Sequence, residues 1–251
     1  MPAIKAVALE GLPEIHVNDD LAQLIAAAMP AGAPVAGDVL VLAHKAVSKA
    51  EGATRRLSAV RPSERALELG ARLDKDPRHV QVVLDESREI RRAENGVLIA
   101  VTHHGFVCAN AGVDASNAPD DDTLILLPRA PDSSARALRA RLGELLGNSP
   151  AVLITDSFGR AWRHGQIDVA IGCAGLQPFE DWRGRRDARG RQLHATWIAI
   201  ADELASAADL TRTKDAMQPA VLVSGAGRHV IDDDGPGAQA LVRGAEQDLF
   251  R

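Results

Sequence analysis

The sequence predicts a mixed α/β protein, and three observations carry that reading. Two continuous apolar runs, Val39–Ala43 and Val152–Thr155, have the pattern of strands buried on both faces. Capped helical patterns lie among them, at Asp19–Met29 and from Asp132-Ser133-Ser134 to about Leu146. Strands and helices mix without regular alternation, so a doubly wound Rossmann sheet is not required. The 251 residues, 46% hydrophobic and 25% charged, can bury a sizeable core and read as one domain over 1–251.

In chain order, 4–9 reads as a short strand ended by Gly11-Leu12-Pro13. The helix 19–29 takes Asn18 or Asp19 as its cap and places Leu21, Leu24 and Ile25 on one face. Pro62-Ser63 opens a helix to about Leu73, and Pro77 opens another to Leu84. Strands follow at 97–101 and, after a turn at Gly105, at 106–109. Beyond the strand at 152–155 another is expected at 169–172. A long helix is expected over 193–210, a strand over 219–223 and a final helix over 237–249. The loops at 110–124 and 174–192 are long for plain connections, which marks them as candidate functional segments.

Composition excludes several classes. The net charge of −5 and an aromatic content of 3%, with no Tyr, argue against nucleic acid as a partner. Two cysteines, Cys108 and Cys173, make neither a disulfide framework nor a zinc site. No signal peptide and no apolar stretch long enough to span a membrane is present, so a cytoplasmic protein is expected. A GxxxxGK[ST] phosphate loop, a complete dinucleotide fingerprint, HExxH and GxSxG are all missing. His103-His104 are adjacent, and on a strand they would face opposite ways.

The positive signals are four. Ala151 to Arg160 is an apolar strand running into Thr155-Asp156-Ser157, and a carboxylate and hydroxyl at a strand end can hold a hard cation beside phosphate. A turn cap explains Asp156 equally well. Asn110 to Asn117 is a polar, small-residue loop around Asp114, and an Asx turn is its commoner meaning. His44, Lys45 and Lys49 lie just beyond a buried strand, where lysines supply positive charge for phosphate or simply begin a solvated helix. Arg183, Arg185, Arg186, Arg189 and Arg191 form a local anion-site candidate in an acidic chain, or a solvated loop paired with Asp181 and Asp187.

The order of these segments is distinctive. Gly11-Leu12-Pro13-Glu14-Ile15, Val47 to Gly52, Pro62 to Ala66, His104 to Asn117, Thr155 to Arg160 and Ala201 to Leu204 together resemble the coenzyme F420-0:L-glutamate ligase family, from about residue 5 to residue 225. The resemblance implies an F420 ligase-like fold, distinct from P-loop and Rossmann folds, in an intertwined homodimer of the freestanding form. It implies GTP-dependent ligation of L-glutamate to the deazaflavin coenzyme F420-0, with GDP and phosphate released, and further γ-linked glutamates.

Position by position, the resemblance implies guanine-nucleotide contacts at Leu12, Pro13, Glu14, Ile15, His44, Lys45, Lys49 and Asn117. It implies one Mg²⁺ or Mn²⁺ on Asp114 and Asp156, and a second on Ser157. Lys214 aligns with an acidic metal ligand of some members, so it is expected to contact phosphate instead, or Asp215 to take over the ligand role. Lys49 and Asp156 are the expected catalytic residues. An amide ligase of the same fold acting on another carboxylate, and a guanine-nucleotide-binding protein without ligase activity, are the alternatives.

Overall fold

A computed structural model describes residues 3–213 and 215–248. The chain opens with strand β1 (Lys5–Ala8) and helix α1 (Leu21–Ala28). Strand β2 (Val39–Ala43) passes directly into helix α2 (His44–Ala50). A short strand β3 (Thr54–Arg56) precedes helices α3 (Glu64–Leu73) and α4 (Pro77–Asp85). Strands β4 (Ser87–Glu94), β5 (Val97–Thr102), β6 (Val107–Ala109) and β7 (Thr123–Ile125) follow, then helix α5 (Pro131–Leu146). A long hairpin, β8 (Ala151–Arg160) and β9 (Arg163–Ala174), leads to β10 (Glu180–Asp181), β11 (Trp197–Ile198), helix α6 (Ile200–Asp209) and β12 (Ala220–Ser224). No helix among the described residues is long and apolar enough to cross a membrane.

The main sheet has the order β1-β12-β2-β8-β9, and only β2 and β8 pair in parallel. The mixed α/β class is borne out, and this sheet is neither a P-loop nor a Rossmann sheet. Alternation along its strands sorts the core. Leu40, Leu42, Val152, Ile154 and Leu222 face α1, α2 and α5, packing with Leu21, Ile25, Val47 and Leu142. Val39, Val41, Leu153, Val221 and Val223 face α6, against Ala201, Leu204, Ala205 and Ala208. Both faces are thus covered, which is why the two strands are apolar throughout. A third core lies between α3, α4 and the β4-β5-β6 sheet, built on Leu69, Leu73, Val80, Val83, Leu98 and Ala100.

Several expectations need correction. The helix foreseen over 193–210 begins only at Ile200. Trp197–Ile198 pairs instead with Glu180–Asp181, and Leu193 donates its N–H to Arg185 O at 2.8 Å, so this backbone is bonded sideways. The helix foreseen over 237–249 is two 3-10 turns, Ala238–Leu241 and Ala245–Gln247, parted at Gly244, and its last residue lies outside the described ones. The strands expected at 152–155 and 169–172 are the inner halves of β8 and β9. Helix α1 is capped by Asp20, which accepts from Gln23 N at 3.0 Å, rather than by Asn18 or Asp19.

Asp132 does not cap α5. Ala130 holds the cap position with Pro131 first in the helix, and Asp132 points away from its own helix end. Its carboxylate accepts N–H groups from Cys173 (2.9 Å), Ala238 (2.7 Å) and Gln239 (3.2 Å), tying α5 to β9 and to the 238–241 turn. Replacing Asp132 by Ala leaves three backbone donors without an acceptor. The expected loss is about 2–4 kcal/mol, read as a lower urea midpoint at unchanged slope.

Candidate active site

The site begins where β2 ends. Ala43 is opposite Thr155 in the parallel register, and β2 turns there into α2. From Asp156 onward, β8 keeps β9 on one side and has lost its strand neighbour on the other. A cavity of about 250 Å³ opens beside this stretch, lined by Asp156, Ser157 and Phe158 from β8 and by Cys108, Asn110 and Asp114 from the facing loop. Two acids far apart in sequence therefore line one cavity.

Asp114 is held by a two-way backbone bridge to Ile125, with N–H to O distances of 3.0 and 2.8 Å. The turn leading to it is strained: Asn110, Ala111 and Gly112 are all left-handed, at φ 50°, 53° and 72°. Gly112 is required there, because Leu127 side-chain atoms lie 2.7 Å from where its Cβ would sit. Lys45 Nζ donates to Asp114 Oδ2 at 2.6 Å and to Ser116 Oγ at 2.5 Å. Burial pushes the Asp114 carboxyl up, but the Lys45 hydrogen bond, the Ser116 N–H and the Lys45 charge together outweigh it. The net shift is downward, so Asp114 is ionised at neutral pH.

On the other wall, Asp156 Oδ1 accepts the N–H of Ser157 at 2.8 Å. The buried His44 places Nε2 3.3 Å from that same oxygen without hydrogen-bond geometry, and its Nδ1 lies 3.3 Å from Ser48 Oγ. Ser157 Oγ donates to Asp168 Oδ1 at 2.7 Å. Burial, and then the Asp156 charge, push the Cys108 thiol up to about 12, so it is no nucleophile at neutral pH.

The structure brings Asp114, Asp156, Ser157, His44 and Lys45 to one place. Lys49 sits farther along α2 and pairs with Glu14 at 2.5 Å, which docks the 12–15 segment onto that helix. Leu12 and Ile15 are buried in the core, so only their backbone can meet a ligand, whereas Pro13 and Glu14 are exposed. Asn117 is exposed in the loop beyond Asp114. Lys214 lies outside the described residues. The arginine-rich segment is a folded excursion: Arg183 pairs with Asp181 at 2.6 Å and lies over Trp197, while Arg185 lies over Trp182. Asp187 accepts backbone N–H groups of Arg189 and Arg191. None of the five arginines lines the cavity. His103 and His104 donate to different carbonyls, Asp85 O and Pro128 O, and share nothing.

One group escaped the sequence reading. Asp168 is buried at the start of an apolar stretch, a lone acid that could have been noticed as costly to bury. Asn110 Oδ1 is shut off from solvent with no hydrogen-bond partner among the described residues. Together with the two carboxylates and the Ser157 hydroxyl it makes an oxygen-only donor set, which fits a hard cation such as Mg²⁺ or Mn²⁺. Among the described residues no cluster of three or more His, Cys, Asp and Glu stands close enough to hold a metal. A cation here would complete its shell with phosphate oxygens and water.

The family model for F420-0:Gamma-glutamyl ligase matches residues 11–225. A coenzyme F420:L-glutamate ligase from Methanothermobacter thermautotrophicus is 43% identical over 99% of each chain. Those of Methanopyrus kandleri, 43% identical over 100% of each chain, and of Archaeoglobus fulgidus, 41% identical over 99% of this chain and 96% of the relative, are similar along the same length. The chain belongs to the F420-0:gamma-glutamyl ligase family.

Proposed function

We propose that this chain joins L-glutamate to coenzyme F420-0 at the cavity between Asp114 and Asp156, using GTP and Mg²⁺ or Mn²⁺. The convergence of two acids from separate elements on one cavity, with Lys45 bound to one of them, carries the reading. Membership of the ligase family and the names of the relatives support the substrates. The intertwined homodimer and the further γ-linked glutamates belong to the same reading, as does a phosphate contact by Lys214.

A free carboxylate is a poor acyl donor, because its leaving group would be an oxide. The route is attack by a carboxylate oxygen of the precursor on the γ-phosphorus of GTP, with GDP departing. The amino nitrogen of glutamate then attacks the acyl carbon of the resulting acyl phosphate. The C–N bond forms, the C–O bond to phosphate breaks, and the nitrogen gives up its proton. Both steps depend chiefly on alignment and on neutralising phosphate charge.

The residues divide these tasks. Asp114 and Asp156 would hold the divalent ion and Ser157 a second, and a bound ion supplies charge neutralisation at the phosphate oxygens. Lys49, at the end of α2, adds a fixed positive charge, and Glu14 keeps its ammonium in place. Lys45 serves Asp114 as a counter-charge and is within reach of Ser116 in the same loop. Main-chain groups of 12–15 and the exposed Asn117 are the nucleotide contacts in this reading.

Mass spectrometry after incubation with F420-0, L-glutamate, GTP and Mn²⁺ is expected to show a product heavier by one glutamyl residue, with GDP formed in step. GDP formation that ignores the deazaflavin and glutamate would favour a nucleotide-binding protein without ligase activity. Asp156→Asn keeps the acceptor for the Ser157 N–H but loses the charge. Its Mn²⁺-dependent GTP turnover is expected to fall about 100-fold or more, and unchanged turnover removes Asp156 from the metal site.

A further inference from the structure

We propose that Asp168 is a positioning residue for the cation site, fixing the hydrogen of the Ser157 hydroxyl so that the oxygen can ligate a divalent ion; this rests on the reading of Ser157 given above. The observation is a buried convergence behind the cavity. Asp168 is 3% exposed and stands directly across the hairpin from Ser157. Its Oδ1 accepts from Ser157 Oγ at 2.7 Å. Its Oδ2 accepts from Thr155 Oγ1 at 2.8 Å and from Arg212 Nη2.

The register explains how one acid reaches two hydroxyls. Thr155 and Ser157, two residues apart, share a face of β8. The bulge in the pairing, Ile154 opposite Gly172 but Thr155 opposite Ala170, sets Asp168 level with that face. Asp156 falls between the two anchored neighbours, so the same acid fixes the strand on either side of it.

The chemistry sets the direction of the effect. A neutral hydroxyl binds a cation through an oxygen lone pair, and its single hydrogen must then point elsewhere. In Ser157 that hydrogen goes to a carboxylate, which holds the rotor and raises the electron density on the oxygen. Carboxylates standing behind metal ligands act in this way. Arg212, its side chain 8% exposed, pairs with Asp168 and offsets the cost of burying that charge. Arg212 also donates to Pro219 O, just ahead of β12, and so links the start of that strand to β9.

A purely structural ion pair would make a different set of variants fail. The test is Mn²⁺ binding in the presence of GDP, followed by the EPR signal of free Mn²⁺. Ser157→Ala and Asp168→Asn are each expected to raise the half-saturating Mn²⁺ about 10- to 100-fold. Thr155→Val removes the other hydroxyl that Asp168 accepts from but leaves the Ser157–Asp168 bond and the Arg212 counter-charge, and stays close to wild type. Should Asp168→Asn not fold, the double variant Asp168→Asn/Arg212→Met leaves no unpaired buried charge and carries the same expectation. Weak binding in Ser157→Ala with normal binding in Asp168→Asn overturns the inference alone, as does an equal loss in Thr155→Val. Normal binding in Ser157→Ala overturns the cation role of Ser157, and the inference with it.

Discussion

The parallel pairing of β2 with β8 is the constraint from which the site follows. Parallel neighbours cannot be joined by a tight turn, so the chain must leave the end of one strand and return to the start of the other. Here the return runs through residues 44–150 and holds four helices and two small sheets of its own. Because β2 stops at Ala43 while β8 runs on to Arg160, the departing chain opens an edge beside Asp156. The returning chain brings Asp114 back over that edge. One pairing thus places α2 with its lysines, the Asp114 loop and the Thr155–Ser157 segment around the same space.

Precision at the site is held by structure outside it. The three left-handed residues 110–112 are kept in place by the packing of Leu127 against Gly112 and by the bridge between Asp114 and Ile125. Strain of this kind persists only where its surroundings over-determine it. The opposite wall is fixed by buried charge. Asp168 and Arg212 pair with one another, and the Thr155 and Ser157 hydroxyls both donate to that Asp168 carboxylate. Each wall therefore owes its shape to residues that do not line the cavity, Ile125 and Leu127 on one side and Asp168 and Arg212 on the other.

Local patterns were legible in the sequence and distant ones were not. The runs at Val39–Ala43 and Val152–Thr155 announced doubly covered strands, and Ser63 with Pro62 announced the start of α3, where its hydroxyl accepts from Ala66 N. The expectation over 193–210 failed because the apolar spacing of α6 runs back through Trp197, whose backbone is claimed by Glu180–Asp181 across a loop. Asp132 has the composition of a cap, yet its partners are about 40 and 106 residues away. Asp114 and Asp156 were picked out by motif, but their shared cavity depends on a register that no local pattern encodes. Asp168 has no motif at all; only pairing across the hairpin gives it meaning.

The three bonds accepted by Asp132 have a counterpart in glycine geometry. Gly237 stands at φ 82°, and an added Cβ would come 2.4 Å from the Asp132 carboxylate oxygen. The acid fills the very volume that a side chain at 237 would need. The two positions, one in the first turn of α5 and one near the end of the chain, thus behave as a single unit of inheritance. A larger residue at 237 is admissible only in a descendant that has also given up the carboxylate at 132, and with it the clasp that draws the last turns of the chain onto the sheet.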